Sequence, residues 1–81
     1  MWVKWIDING HLAAWDTTTA FRITCLKGQL MAFGEANSVI SAANFTTPDR
    51  AWAVFDAILA HDEDEAKPFD VREFLEEMEA A

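Results

Sequence analysis

The residues able to do chemistry are placed unevenly. Carboxylates crowd the end of the chain, HDEDEAKPFDVREFLEEMEAA (61–81), while Cys25, His11 and His61 are scattered. From Asp62, carboxylates fall at positions one, three, nine and twelve of a calcium-loop frame: Asp62, Asp64, Asp70 and Glu73. Such a loop needs an oxygen ligand at position five and glycine at position six, and this chain has Ala66 and Lys67 there, with Pro68 next. Weak cation condensation is the simpler reading, and no metal site is expected. His61 beside Asp62 has no further ligand at zinc spacing. Cys25 and His11 could in principle form a thiol–imidazole pair, but neither sits in a recognisable nucleophile motif, and Ser38 and Ser41 lack a nucleophile elbow. A general acid needs a desolvated carboxyl, and those of HDEDE should be hydrated and ionised. No catalytic residue and no cofactor is therefore expected, and the glycines match no phosphate-cradling pattern.

What remains is binding. The formal net charge is −8. Residues 1–60 carry five acids against four cations; residues 61–81 carry nine against two, so −7 of the total lies in the last segment. Direct nucleic-acid binding needs a basic footprint, which is absent. An acidic surface instead suits docking on a basic protein, and a linker and helix bearing nine acids could mimic a polyanion. The plainer reading of the same charge is a solvated face that keeps a small protein soluble. Candidate partner-binding residues are Asp62, Glu63, Asp64, Glu65, Glu73, Glu76 and Glu77 for charge, with Trp2, Trp15 and Trp52 as exposed aromatic anchors.

These residues must be positioned by a small fold. Eighty-one residues make one domain with a modest core. Cys25 alternates with Phe21 and Ile23, and reads as a small buried apolar residue; a lone cysteine fits a reducing cytoplasm. The start, MWVKWIDING, has no secretory apolar region, and no run reaches the ~18 apolar residues of a membrane span, so a cytoplasmic chain with no membrane partner is expected.

Strand signals fill the first forty-five residues. WVKWIDI is rich in β-branched and aromatic types, and Asn9-Gly10 predicts a type I′ hairpin turn with HLAAW returning. Further strands are expected up to Ala43, with turns at Lys27-Gly28 and Gly34 to Asn37. Thr47, Pro48 and Asp49 then open a helix as N-cap, first helical residue and first-turn acid. Its apolar sector is wide enough to require two neighbours. Asp70 and Glu73 form a D-x-x-E analogue of a capping box, Phe69 can staple against Phe74, and Val71, Phe74, Leu75 and Met78 make an apolar stripe opposite Glu73, Glu76 and Glu77.

Trp2-Val3 with Asn9-Gly10-His11-Leu12, followed by Phe45-Thr46-Thr47-Pro48-Asp49-Arg50-Ala51, resembles a loose group of small bacterial and phage or prophage proteins. These have a Trp-containing N-terminal hairpin, an antiparallel meander and one helix, over residues 1 to about 60. The resemblance supplies no catalytic residues, and the acidic second helix departs from it.

The expected fold is α+β: an antiparallel sheet of four to five strands packed by one main helix, plus a short acidic C-terminal amphipathic helix. Residues 1–60 form the sheet-and-helix core, and 61–81 the acidic linker and helix, within the same domain or as an appendage. The expected function is that of a non-enzymatic, phage- or mobile-element-encoded inhibitor of a basic, nucleic-acid-handling host protein, by analogy with anti-CRISPR proteins. The alternative is a structural or assembly protein that self-associates through its sheet, as a homodimer, with the tail only a solubility face.

Overall fold

A computed structural model describes residues 1–61 and 67–80. Strand β1 (Trp2–Ile6) pairs antiparallel with β2 (Leu12–Asp16), and after a 3-10 turn at Thr17–Thr19 come β3 (Arg22–Leu26), β4 (Gln29–Phe33) and β5 (Val39–Asn44). Helix α1 (Pro48–Ala60), the two-residue strand β6 (Phe69–Asp70) and helix α2 (Val71–Ala80) complete the chain. The α+β class is as expected, but the single antiparallel sheet is replaced by two three-stranded sheets, ordered β2-β1-β6 and β3-β4-β5. The division falls after β2 because Asp16 captures the chain there. Its carboxylate accepts from the Thr18 backbone N–H at 3.0 Å, and the Thr19 hydroxyl donates to the Asp16 carbonyl at 2.7 Å. This local capping diverts the backbone into a 3-10 turn instead of a hairpin.

The β1–β2 turn also differs from expectation. Asn9 does not take positive φ; Gly10 does, at 82°. The Gly10 N–H donates to the Asp7 carbonyl, and the Asp7 carboxylate accepts from the N–H groups of Asn9 and His11. The chain therefore turns at Asp7–Gly10, with Gly10 in the left-handed position that follows a type I turn. A two-residue turn at Asn9-Gly10 would have set Trp15 opposite Lys4. The longer loop sets Trp15 opposite Val3, a one-residue slip that transfers every β2 side chain to the other face.

The β3–β4 turn separates two demands that glycine often meets together. Lys27 carries the positive φ, at 57°. Gly28 is needed for space: a Cβ there would lie 2.9 Å from the Phe45 carbonyl oxygen, because the Phe45 N–H donates to the Gly28 carbonyl at 2.7 Å.

Both helices begin where their capping signals lie. The Thr47 hydroxyl accepts from the Arg50 N–H at 3.2 Å, and Pro48 occupies the first turn. The Asp70 carboxylate accepts from Arg72 and Glu73 N–H at 3.0 and 3.3 Å, and the Phe69 and Phe74 rings lie 5.6 Å apart. Helix α1 buries Ala51, Val54 and Ile58. It packs on β3 and β4, with α2 as the second neighbour its wide apolar sector called for.

One core joins all of these elements. Val3, Trp5 and Trp15 come from the first sheet, Leu30, Ala32 and Ala43 from the second, Val54 and Ile58 from α1, and Phe69 and Val71 from the last segment. The Trp5 indole N–H donates to the Ser41 hydroxyl at 2.8 Å, tying the two sheets together. One end of the β1–β2 hairpin approaches β3, where Met1 and Thr17 line a cavity with Ile23; the other reaches β5, where the Ile8 N–H donates to the Ala42 carbonyl. The first sheet's strands thus run across those of the second. Phe69 and Val71 add to the core that residues 1–60 build. Among the described residues, no helix is long and apolar enough to cross a membrane.

Candidate functional site

Helix α2 is positioned by three contacts. Phe69 pairs beside Val3 in a parallel bridge to β1, Asp70 caps the helix, and Val71 is buried in the core. With these points held, the 3.6-residue repeat dictates the rest. Phe74 and Leu75 pack against the core, while Glu73, Glu76 and Glu77 are exposed.

The chain's own cations engage only part of this acidity. Lys4 lies 3.7 Å from the Asp70 carboxylate, and Arg50 pairs with Glu79. Among the described residues, no lysine or arginine forms an ion pair with Glu73, Glu76 or Glu77. Those three acids occupy about 6 Å of helix axis at a rise of ~1.5 Å per residue. Their density of one charge per roughly 2–3 Å is close to the one per ~1.7 Å of duplex DNA. Glu73 and Glu77 also line a cleft of about 290 Å³ together with Phe69, Phe74, His61 and Lys67. Carboxylates beside ring faces are a setting for a guanidinium or ammonium group.

The remaining candidate residues divide. Asp62, Glu63, Asp64 and Glu65 lie outside the described residues. Trp2 and Trp52 are exposed, at 53% and 54%. Trp15 is not an exposed anchor: only 3% of it is accessible, because its register opposite Val3 turns it into the core, where its ring lies 5.3 Å from that of Trp5. Trp2 is on the other face of the same hairpin, with Ile6 and Leu12, at 44% and 74% exposure. Sequence reasoning missed Ile6 and Leu12, although the alternation of WVKWI implies two faces. Choosing between those faces required the turn register.

Cys25 is partly buried on the core-facing side of β3, directly opposite Leu30. Desolvation pushes its thiol pKa up, and the nearby Asp56 charge adds to this. Both effects oppose formation of the nucleophilic thiolate. Ser41 is occupied with the Trp5 indole, and among the described residues no cluster of His, Cys, Asp and Glu has the arrangement of a metal site. Comparison with protein-family models, curated proteins and solved structures finds no match.

Proposed function

We propose that this chain is a non-enzymatic binding protein. It docks its acidic α2 surface on a basic, nucleic-acid-handling host protein and inhibits it, in the manner of a phage- or mobile-element-encoded inhibitor of the anti-CRISPR kind. The observation that carries this reading is the outward row Glu73, Glu76 and Glu77, left without an internal cation among the described residues. An exposed charge that serves only its own fold gains little, since surface pairs contribute ~0–1 kcal/mol. A row of charges of one sign at nearly the spacing of DNA gives a complementary field to a groove built for phosphates. Lysines and arginines of that groove would meet the carboxylates and the half-buried Phe74 ring in the cleft.

The test has two parts. Proteins captured from a host lysate are identified, and the purified partner is titrated with this chain in the presence and absence of its nucleic acid. The two ligands should compete, and Glu73→Gln/Glu76→Gln/Glu77→Gln should weaken docking by at least tenfold while leaving the circular dichroism spectrum unchanged. A partner that holds the triple variant as tightly as the parent, or that binds this chain and nucleic acid together, would refute the proposal.

A further inference from the structure

We infer that the outer face of the β1–β2 hairpin is an isologous interface that binds a second copy of this chain. Directly opposed pairs build the face: Trp2 with Asp16, Lys4 with Ala14, and Ile6 with Leu12. Trp2, Ile6 and Leu12 are all substantially exposed, and Ala14 lies between them as a low point. Soluble monomers commonly expose single apolar side chains, and a group of them on one rigid sheet is of the size that is often functional.

Charge and area favour a second copy as the occupant. The face and its edges carry Lys4, Arg72 and the Met1 amine against Asp16 and Asp70, with Lys4 on Asp70 and the amine on Asp16, so its charges are largely matched locally on a chain of net charge −8. A membrane surface or a nucleic acid would require clustered unpaired cations, whereas Lys4 and the Met1 amine are each paired with an acid here. Two copies meeting here do so through a surface whose own charges are matched, and not through the unpaired row Glu73, Glu76 and Glu77. Helix α2 packs through Val71, Phe74 and Leu75 onto the core, to which the opposite side of this sheet, Val3 and Trp5, also belongs. Trp2, Ile6 and Leu12 expose on the order of 400 Å² per copy, within the ~300–600 Å² of a monomer's largest patch. Two such faces, with Ala14 and the Lys4 stem, approach the ~1,200 Å² lower limit of stable interfaces. The small Ala14 of one copy can receive the Trp2 ring of the other. The expected product is a reversible dimer of micromolar-range affinity. The inference is independent of the docking proposed for α2.

Sedimentation velocity of the full chain, from low micromolar to near-millimolar concentration, tests this. The expected result is a monomer–dimer equilibrium that added salt leaves unchanged or strengthens. Leu12→Lys should raise the dissociation constant by about tenfold or more, and Ala14→Arg should do the same. Both sites are exposed, so circular dichroism should remain that of the parent. Leu26→Lys, on an exposed position of the second sheet, should leave the equilibrium unchanged. A chain that stays monomeric throughout the range would overturn the inference, as would a dimer indifferent to both hairpin variants or one abolished by Leu26→Lys. Because Leu12→Lys leaves Glu73, Glu76 and Glu77 intact, it should still bind the basic partner, which separates failure here from failure of the α2 proposal.

Discussion

Asp70 illustrates how much one side chain can hold in so small a fold. One carboxylate oxygen caps α2 through the Arg72 and Glu73 N–H groups, and the other faces Lys4 across the first sheet. Asp70→Ala should cost about 1 kcal/mol, the usual worth of an N-cap, seen as a fall in melting temperature of roughly 4–8 °C for a domain of this length. Asp70→Asn keeps an acceptor for the cap and loses only an exposed ion pair, so thermal denaturation should place it close to the parent. Two titrations follow from local environment. The Thr18 backbone N–H holds the Asp16 carboxyl below the ordinary aspartate range, against a smaller opposing effect of desolvation. Its contribution to stability is therefore present above the unfolded-state pKa and lost as pH falls through the lowered folded one, a shift that carboxyl-carbon NMR in acid can follow. Cys25 has the opposite sign. Burial favours the neutral thiol, so its contribution is complete below the unfolded thiol pKa and lost as pH rises through the higher folded value. Alkylation of Cys25 near pH 8 should be several-fold slower in the folded chain than in urea; equal rates would show that the thiol is not desolvated.

Among the elements, the two-residue strand β6 has an influence out of proportion to its length. It places Phe69 in the core beside Val3 and hands the chain directly to α2. Phe69→Ala should cost about 3–5 kcal/mol. At 0.05–0.15 kcal/mol per residue, the whole domain has only ~4–12 kcal/mol of stability. The variant should therefore lose a large share of that stability, read as a lower denaturation midpoint, and deletion of residues 67–81 should lower it at least as far. Gly28→Ala tests a different constraint. The added Cβ would crowd the Phe45 carbonyl, so a loss of about 1–3 kcal/mol is expected. These elements also show what the sequence made legible. Both helix starts could be read, because Thr47 and Asp70 act on N–H groups two or three residues away. Strand existence was legible too, from alternation. The division into two sheets was not, because it depends on where the Asp16 carboxylate bonds. Strand β6 was not either, since two residues have no periodicity and their partner, β1, lies more than sixty positions earlier. Trp15 was assigned to the wrong face for a related reason: Asn9-Gly10 is a strong turn signal, but the Asp7 carboxylate organised a longer loop and moved the register by one.

On the scale of the whole molecule, the exposure of Glu73, Glu76 and Glu77 on one side of α2 was legible because helix phase is local. The exposure of Ile6 and Leu12 beside Trp2 was not, because it depends on which face two sheets and two helices cover together. The net charge of −8 then acts in opposite directions on folding and on docking. Within the chain, the acids of residues 61–81 are close enough to repel one another, and helix α2 concentrates three of them on one face. Salt shortens the Debye length from ~30 Å at 0.01 M to ~8 Å at 0.15 M, and so relieves that repulsion. The melting temperature should accordingly rise with sodium chloride over this range. The rise should be smaller in Glu73→Gln/Glu76→Gln/Glu77→Gln, where part of the repulsion is already removed. Attraction to a basic partner follows the reverse rule. The same increase in salt should weaken docking, chiefly by slowing association, because screening acts on the encounter before contacts form. Thermal melts and stopped-flow binding in matched buffers would give the two slopes. Opposite signs are expected only if the acidic field points away from the protein's own cations and toward a partner. If salt lowers the melting temperature, the carboxylates are held by internal ion pairs, and they cannot also supply the field that steers a basic protein onto α2.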